Sequence, residues 1–240
     1  RSRYYSPKPQ QESDIDYLSK KNWTWDGDID LNQGLYIAMD YNSDITCLSV
    51  GQMEGNTIKL LKSFYVTTKR KDVVIDFYDY YQDLLDSGTE VYYFFDNTAI
   101  VTDADKNIDE SYAAKTISEL ETLGVSVTPI YLTQTTHQWR YSMWASILSG
   151  GDNNHPFDFK YNFDNNEDWE YAAQHTRVES RTTKDGKAIF GKDKSDEKKR
   201  KIPPEKTTHL TECVDTLTIG LMMLYNEGDM EPVEGRGVVW

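Results

Sequence analysis

The apolar positions of this chain change period along its length, and the changes divide it into elements. In GLYIAMDYNSD, residues 34–44, Leu35, Ile37 and Met39 alternate with Tyr36 and Ala38. Such a run predicts a strand buried on both faces, and it ends at Asp40. Aspartate is depleted in strands, and Asn42, Ser43 and Asp44 can form a turn without it, so Asp40 is either a turn former or a residue placed for chemistry. Residues 45–53 and 57–66 are also strand-like, and Glu54-Gly55-Asn56 between them marks a hairpin. The first three strands are therefore expected to be consecutive and antiparallel. Over residues 71–87 the period becomes helical, with Val73, Val74, Phe77, Tyr80, Tyr81, Leu84 and Leu85 at spacings of three and four before Gly88. EVYYFF at 90–95 is a second buried strand, and it too finishes on a carboxylate, Asp96. Beyond it the pattern predicts a helix over 111–123, a strand over 125–131 and a helix over 138–148. The Asn- and Asp-rich stretch 151–168 reads as loop, and 169–175 as a short helix. Residues 177–201 read as a hairpin or long loop, because Lys184-Asp185-Gly186-Lys187 carries a turn signal. Three strands in hairpin order, followed by strands separated by helices, predict a mixed α/β sheet flanked by helices.

The last predicted helix carries chemistry as well as packing. Pro203 and Pro204 can open it, and Leu210, Val214, Leu217, Leu221 and Leu224 form the stripe that lays residues 205–225 on the sheet. Glu212 and Asp215 are three apart, so they project from one side of the helix with Cβ atoms about 5–6 Å from each other. His209 lies three residues earlier on the same side, a candidate either to orient a ligand or to cap the helix. Taken singly, these acids are ordinary solvent-facing residues. In a sheet whose fourth strand pairs beside its first, however, Asp40 and Asp96 converge at one rim, and the helix brings Asp215 and Glu212 to them. Carboxylates crowded in this way repel one another and raise one another's pKa, which a divalent cation relieves. Hard oxygen ligands favour Mg²⁺ or Mn²⁺. Two such ions about 3.5–4 Å apart can activate a water and stabilise the leaving oxygen at a phosphodiester. Clustered histidine and cysteine are not available, so zinc is not expected.

Composition and charge refine this picture. At 240 residues the chain is expected to be one large domain. Its net charge of −14 argues at first against a nucleic-acid partner, but the charge is segregated. Residues 177–206 hold eleven basic and six acidic side chains, a net +5, which leaves −19 for the rest. Arg177, Arg181, Lys184, Lys187, Lys198, Lys199, Arg200 and Lys201 are the candidate phosphate contacts, the alternative being a solvated loop. The two cysteines, Cys47 and Cys213, have no CxxC spacing and are expected to be reduced thiols of a cytosolic protein. There is no run of about 18 apolar residues and no charged-then-apolar leader, so neither a membrane span nor secretion is expected. The first residue, Arg1, suggests a fragment of something longer. Residues 1–30 are polar, with Pro7 and Pro9, and read as a linker or packing arm docked through Trp23 and Trp25.

GLYIAMDYN, YYFFDN and KDKSDEKKRKIPPEKTTHLTECVDTL together resemble, over residues 34–225, the nuclease domain of tailed-phage terminase large subunits. In that family a basic loop leads through Thr-His into a helix with two acids. The resemblance implies a ribonuclease H-like fold over residues 31–228, a preceding linker at 1–30 and a tail at 229–240. It implies a phage- or prophage-encoded, Mg²⁺- or Mn²⁺-dependent endonuclease, with two ions, cutting concatemeric double-stranded DNA in the bacterial cytoplasm. Asp40, Asp96 and Asp215 match the family's metal-ligand positions, and Glu212 matches a further acid one helical turn earlier, often Asp, whose role stays open. The implied partners are DNA, an ATPase domain, the small terminase subunit and the portal. No GxxxxGK[ST] motif is present, so no ATP site is expected in this chain. Two alternatives stand beside this reading: another nuclease of the same fold, such as a junction resolvase or an exonuclease, and a mainly non-catalytic docking module of the packaging motor.

Overall fold

The computed structural model describes residues 3–5, 20–100, 111–199 and 201–226. Its centre is a seven-stranded mixed sheet in the order β1-β7-β4-β3-β2-β5-β6. These strands are β1 (Trp23–Thr24), β2 (Leu35–Tyr41), β3 (Thr46–Glu54), β4 (Thr57–Val66), β5 (Val91–Phe95), β6 (Val127–Tyr131) and β7 (Asp158–Asn162). β2, β3 and β4 run antiparallel in succession, and β5 and β6 are added parallel on the far side of β2. Counted from β2 the order is 3-2-1-4-5, the ribonuclease H-like arrangement that the family resemblance implies. The β3–β4 hairpin closes through a two-residue link in which Gly55 has φ +58°, a region that a side chain at that position would strain.

Helices cover both faces. On one lie α1 (Arg70–Tyr80) and α4 (Tyr112–Thr122), and on the other α5 (His137–Leu148), α6 (Glu167–His175) and α7 (His209–Asn226). Short helices α2 (Gln82–Asp86) and α3 (Asn97–Ile100) flank β5, so the helix expected over 71–87 is broken at Tyr81. The period of two assigns the strand residues to faces. Leu35, Ile37 and Met39 of β2, with Val91, Tyr93 and Phe95 of β5, enter the core under α1 and α4. Tyr36, Ala38 and Phe94 enter the core under α5 and α7. No helix among the described residues is long and apolar enough to cross a membrane.

One expectation needs correcting. Residues 151–168 are not all loop: β7 lies inside them, paired parallel to both β4 and β1. Phe157, Phe159, Tyr161 and Phe163 alternate with Asp158, Lys160 and Asn162, the period of two that a strand requires, and the Asn- and Asp-rich composition around them outweighed it in the reading as loop. The described parts of the amino-terminal arm are integral to the domain: Tyr4 and Tyr5 are fully buried under α5 and α7, and β1 is an edge strand.

α7 lies close against the sheet. A Cβ at Gly220 would come within 2.4–2.6 Å of the buried Phe94 ring, and the Cys213 thiol donates to the Ala38 carbonyl at 3.0 Å. Gly220→Ala is therefore expected to lose about 1–3 kcal/mol by overpacking, more than the roughly 1 kcal/mol gained in helix propensity. Urea denaturation measures it, and an unchanged midpoint would mean that the ring moves aside.

Candidate functional site

Asp40 shares the face of Tyr36 and Ala38, and Asp96 that of Tyr92 and Phe94, so both carboxylates leave the sheet on the α7 side. They stand two residues beyond Ala38 and Phe94, the last paired residues of the parallel β2–β5 ladder, which makes them neighbours across two strands. α7 crosses above them. Its first turn brings His209 Nδ1 to 3.2 Å from Asp40 Oδ2 and sets Glu212 over the same rim, an acid where the helix dipole favours one. Asp96 has a structural task too: its Oδ1 accepts from the Thr98 amide at 2.9 Å and the Thr98 hydroxyl at 2.6 Å, capping α3.

Each rim acid faces a basic side chain. Arg140 of α5, held by a 2.8 Å bond from Nε to Thr135, reaches Glu212 Oε2 at 3.2 Å and Asp96 Oδ2 at 3.9 Å. Lys194 lies 3.2 Å and Lys192 3.4 Å from Glu212 Oε1. Burial alone would raise the Glu212 pKa, but Lys192, Lys194 and Arg140 outweigh it and hold the carboxyl down at about 2. Burial draws His209 the opposite way, yet its contact with Asp40 leaves the imidazole above its usual pKa.

Asp215 is placed differently from its three partners. The side chains of Asp40, Asp96 and Glu212 are 26%, 13% and 12% exposed, whereas Asp215 is 0% exposed. Its Oδ1 accepts from the Tyr5 hydroxyl at 2.7 Å and Trp144 Nε1 at 2.8 Å, and its Oδ2 lies 2.7 Å from Lys192 Nζ. Thus Asp40, Asp96 and Glu212 are brought to the rim, and Asp215 is sealed beneath it. Among the described residues, no three His, Cys, Asp or Glu side chains stand close enough as placed to hold a metal ion.

The basic segment is largely a hairpin, as its turn signal predicts. β8 (Val178–Thr182) and β9 (Ala188–Lys192) pair antiparallel around a turn closed by bonds from Lys187 N to the Thr183 hydroxyl and from Gly186 N to the Thr183 carbonyl. Phe190 packs on Tyr141 and its amide donates to Gln138 at 2.8 Å, which fixes the hairpin to α5. Arg177, Arg181, Lys184, Lys187, Lys198, Lys199 and Lys201 are exposed, and Arg200 lies outside the described residues. Arg181 is paired with Glu179, and Lys199 with Asp196. A cleft of about 460 Å³ lies along the hairpin, lined in part by His137, Arg181, Lys192, Lys194 and Lys198.

Sequence reasoning passed over Arg140, Lys192, Lys194, Tyr5 and Trp144. Lys192 carried one usable signal: two residues after Phe190 on β9, it shares the face that packs on α5. Arg140, inside a helix read only for packing, carried none.

No family model and no curated protein matches the chain. Among solved structures, the large-terminase nuclease domain of bacteriophage SPP1, with bound Mn, is 10% identical over 86% of this chain and 97% of its own, with a TM-score of 0.45. The large-terminase nuclease of thermophilic phage G20c, with bound magnesium, is 14% identical over 79% and 81%, with a TM-score of 0.43. A large terminase of another thermophilic bacteriophage is 10% identical over 80% of this chain with a TM-score of 0.46, and this chain spans only 40% of its length. Identities this low leave function to be argued from the chain's own residues. In these comparisons, the chain is similar to the nuclease parts of phage large terminases.

Proposed function

We propose that this domain is a divalent-metal-dependent DNA endonuclease of a phage packaging motor. The observation that carries the reading is the meeting of Asp40 and Asp96, from adjacent parallel strands, with Glu212 of α7 on one rim beside a basic hairpin. The donor set fits Mg²⁺ or Mn²⁺ in its chemistry, three hard and partly accessible carboxylates, and Asp40, Asp96 and Glu212 would hold the metal. A metal there would supply Lewis acidity and a water made acidic enough to attack a phosphodiester. Around it, His209 orients Asp40, Arg140 bridges Asp96 and Glu212, and Lys194 adds positive charge where a phosphate would approach. The exposed hairpin cations would meet DNA backbone rather than base edges, which suits cutting without sequence preference. Concatemeric double-stranded DNA as substrate, with the ATPase domain, small terminase subunit and portal as partners in the host cytoplasm, belongs to the same reading. So does the division into arm, residues 31–228 as nuclease domain, and tail.

Supercoiled plasmid is expected to be nicked and linearised in Mn²⁺ or Mg²⁺ and left intact with a chelator. The absence of metal-dependent cutting beyond that of an equally folded Asp96→Asn protein would overturn the reading. It would favour instead a docking module without cleavage, an alternative supported by the pairing of every rim acid to a basic side chain of the protein. For the hairpin, Lys198→Glu, Lys199→Glu and Lys201→Glu together are expected to weaken DNA binding. The slope of log K against log salt should flatten by about 0.9 for each phosphate that the variant no longer neutralises. Unchanged binding across a salt series would make that run ordinary solvated surface.

A further inference from the structure

Lys192 is a lysine whose side chain is 1% exposed, in the middle of a segment otherwise read as surface charge. Its Nζ lies 2.7 Å from Asp215 Oδ2 and 3.4 Å from Glu212 Oε1, and it donates to the Thr211 hydroxyl at 3.1 Å. The rings of Tyr4 and Tyr5 close over the ammonium, each centroid 5.3 Å away. The two oxygens facing it, Asp215 Oδ2 and Glu212 Oε1, have no neutral hydrogen-bond donor among the described residues; their near partners are the ammonium groups of Lys192 and Lys194. A cation thus already sits between the two carboxylates that α7 presents three residues apart.

We propose that Lys192 is a built-in cation standing where a second divalent ion would bind, so that the rim takes one metal ion, on Asp40, Asp96 and the outer oxygen of Glu212, and Asp215 is not a ligand. The proposal rests on the nuclease reading above. Three features support it. Lys192 is tethered through β9, whose neighbour Phe190 is fixed to α5, so its ammonium cannot diffuse away as a bound cation could. Asp215 already takes two neutral donors on Oδ1 and the ammonium on Oδ2. Mg²⁺ sheds water reluctantly and keeps several waters in protein sites, and a carboxylate with no exposed edge is a poor ligand for it. The Lys192 ammonium is turned to the two carboxylates and away from the path of a substrate. Lys192 is a positioning residue that fixes Glu212 Oε1 and leaves Oε2 toward Arg140 and the rim.

The test is Mn²⁺ titration followed by isothermal calorimetry and by the electron paramagnetic resonance signal of free Mn²⁺. The wild-type domain is expected to bind one ion. Asp215→Asn, which removes a charge and keeps the shape, should leave that ion's affinity within about twofold, whereas Asp40→Asn should weaken it at least about tenfold. Lys192→Ala, which removes the ammonium and vacates its space, should open a second site on Glu212 and Asp215. If that variant does not fold, the wild-type stoichiometry and the Asp215→Asn affinity decide. Two ions on the wild-type protein, a tenfold loss in Asp215→Asn, or a folded Lys192→Ala that still binds one ion would each overturn the assignment. If two ions bind and metal-dependent cutting persists, only this inference falls. If one ion binds and nothing is cut, it stands and the nuclease reading falls. A wild-type domain that binds no Mn²⁺ overturns both.

Discussion

Asp215→Ala is expected to destabilise the domain by about 3–5 kcal/mol, the range for removing one partner of a buried ion pair. The loss has three sources at one carboxylate. Lys192, 1% exposed, keeps the longer contact to Glu212, the Thr211 hydroxyl and the faces of the Tyr4 and Tyr5 rings. The buried Tyr5 hydroxyl loses its 2.7 Å acceptor and keeps only the Thr211 carbonyl at 3.3 Å, and Trp144 Nε1 loses its 2.8 Å acceptor. A buried donor left without a partner costs about 1–3 kcal/mol. Against a total stability of about 5–15 kcal/mol for a typical domain, such a loss leaves much of the population unfolded at moderate urea. Equilibrium urea denaturation with an unchanged m-value is the measurement. A loss below about 1 kcal/mol would mean that the ion pair contributes little and that solvent reaches Asp215. Any fall in activity of this variant has to be read after that correction, because a protein that unfolds also stops cutting.

Asp96→Asn is expected to do the opposite, leaving the fold and removing the activity. Asn caps a helix as well as Asp does, so the bonds from the Thr98 amide and hydroxyl keep an acceptor and the stability should change by less than about 0.5 kcal/mol. Its charge is what cutting would need. Outlying partners of metal ligands are worth about 10–100-fold, so a direct ligand should cost about a hundredfold or more in metal-dependent plasmid cleavage. Asp96→Ala is the less informative change, since it also removes the cap, at about 1 kcal/mol. Activity within about threefold of wild type at matched folding would leave Asp96 with the cap as its only task and would remove the rim from the chemistry.

The contrast between these two acids also marks how far the sequence could be read. The strand ending near Asp40, the strand preceding Asp96 and the hairpin around Lys184-Asp185-Gly186-Lys187 were legible because each is announced locally, by an alternating or continuous apolar run or by turn residues. Their pairing was legible as well, since hairpin order and the βαβ connection leave few topologies. β7 was legible too, in the alternation of Phe157, Phe159, Tyr161 and Phe163, but it sits among Asn and Asp residues whose composition reads as loop.

For the site, residue type and spacing alone determined that Asp40 and Asp96 would each follow an apolar strand, on the face set by alternation, and that Glu212 and Asp215 would share one side of the last helix. Those are consequences of periods of 2 and 3.6, which any sheet and any helix obey. Which of the two helical acids reaches the rim and which is sealed was decided by tertiary packing. One helical turn of difference along α7 places Glu212 beside Asp96 and Arg140, and Asp215 beneath Tyr5, Trp144 and Lys192. The partners of Asp215 come from the amino-terminal arm, α5 and β9, between 23 and 210 residues away in sequence. No local pattern encodes contacts of that range. They exist only once the sheet, the hairpin and α7 have packed, and by sealing one carboxylate they decide which acids are left to bind a cation.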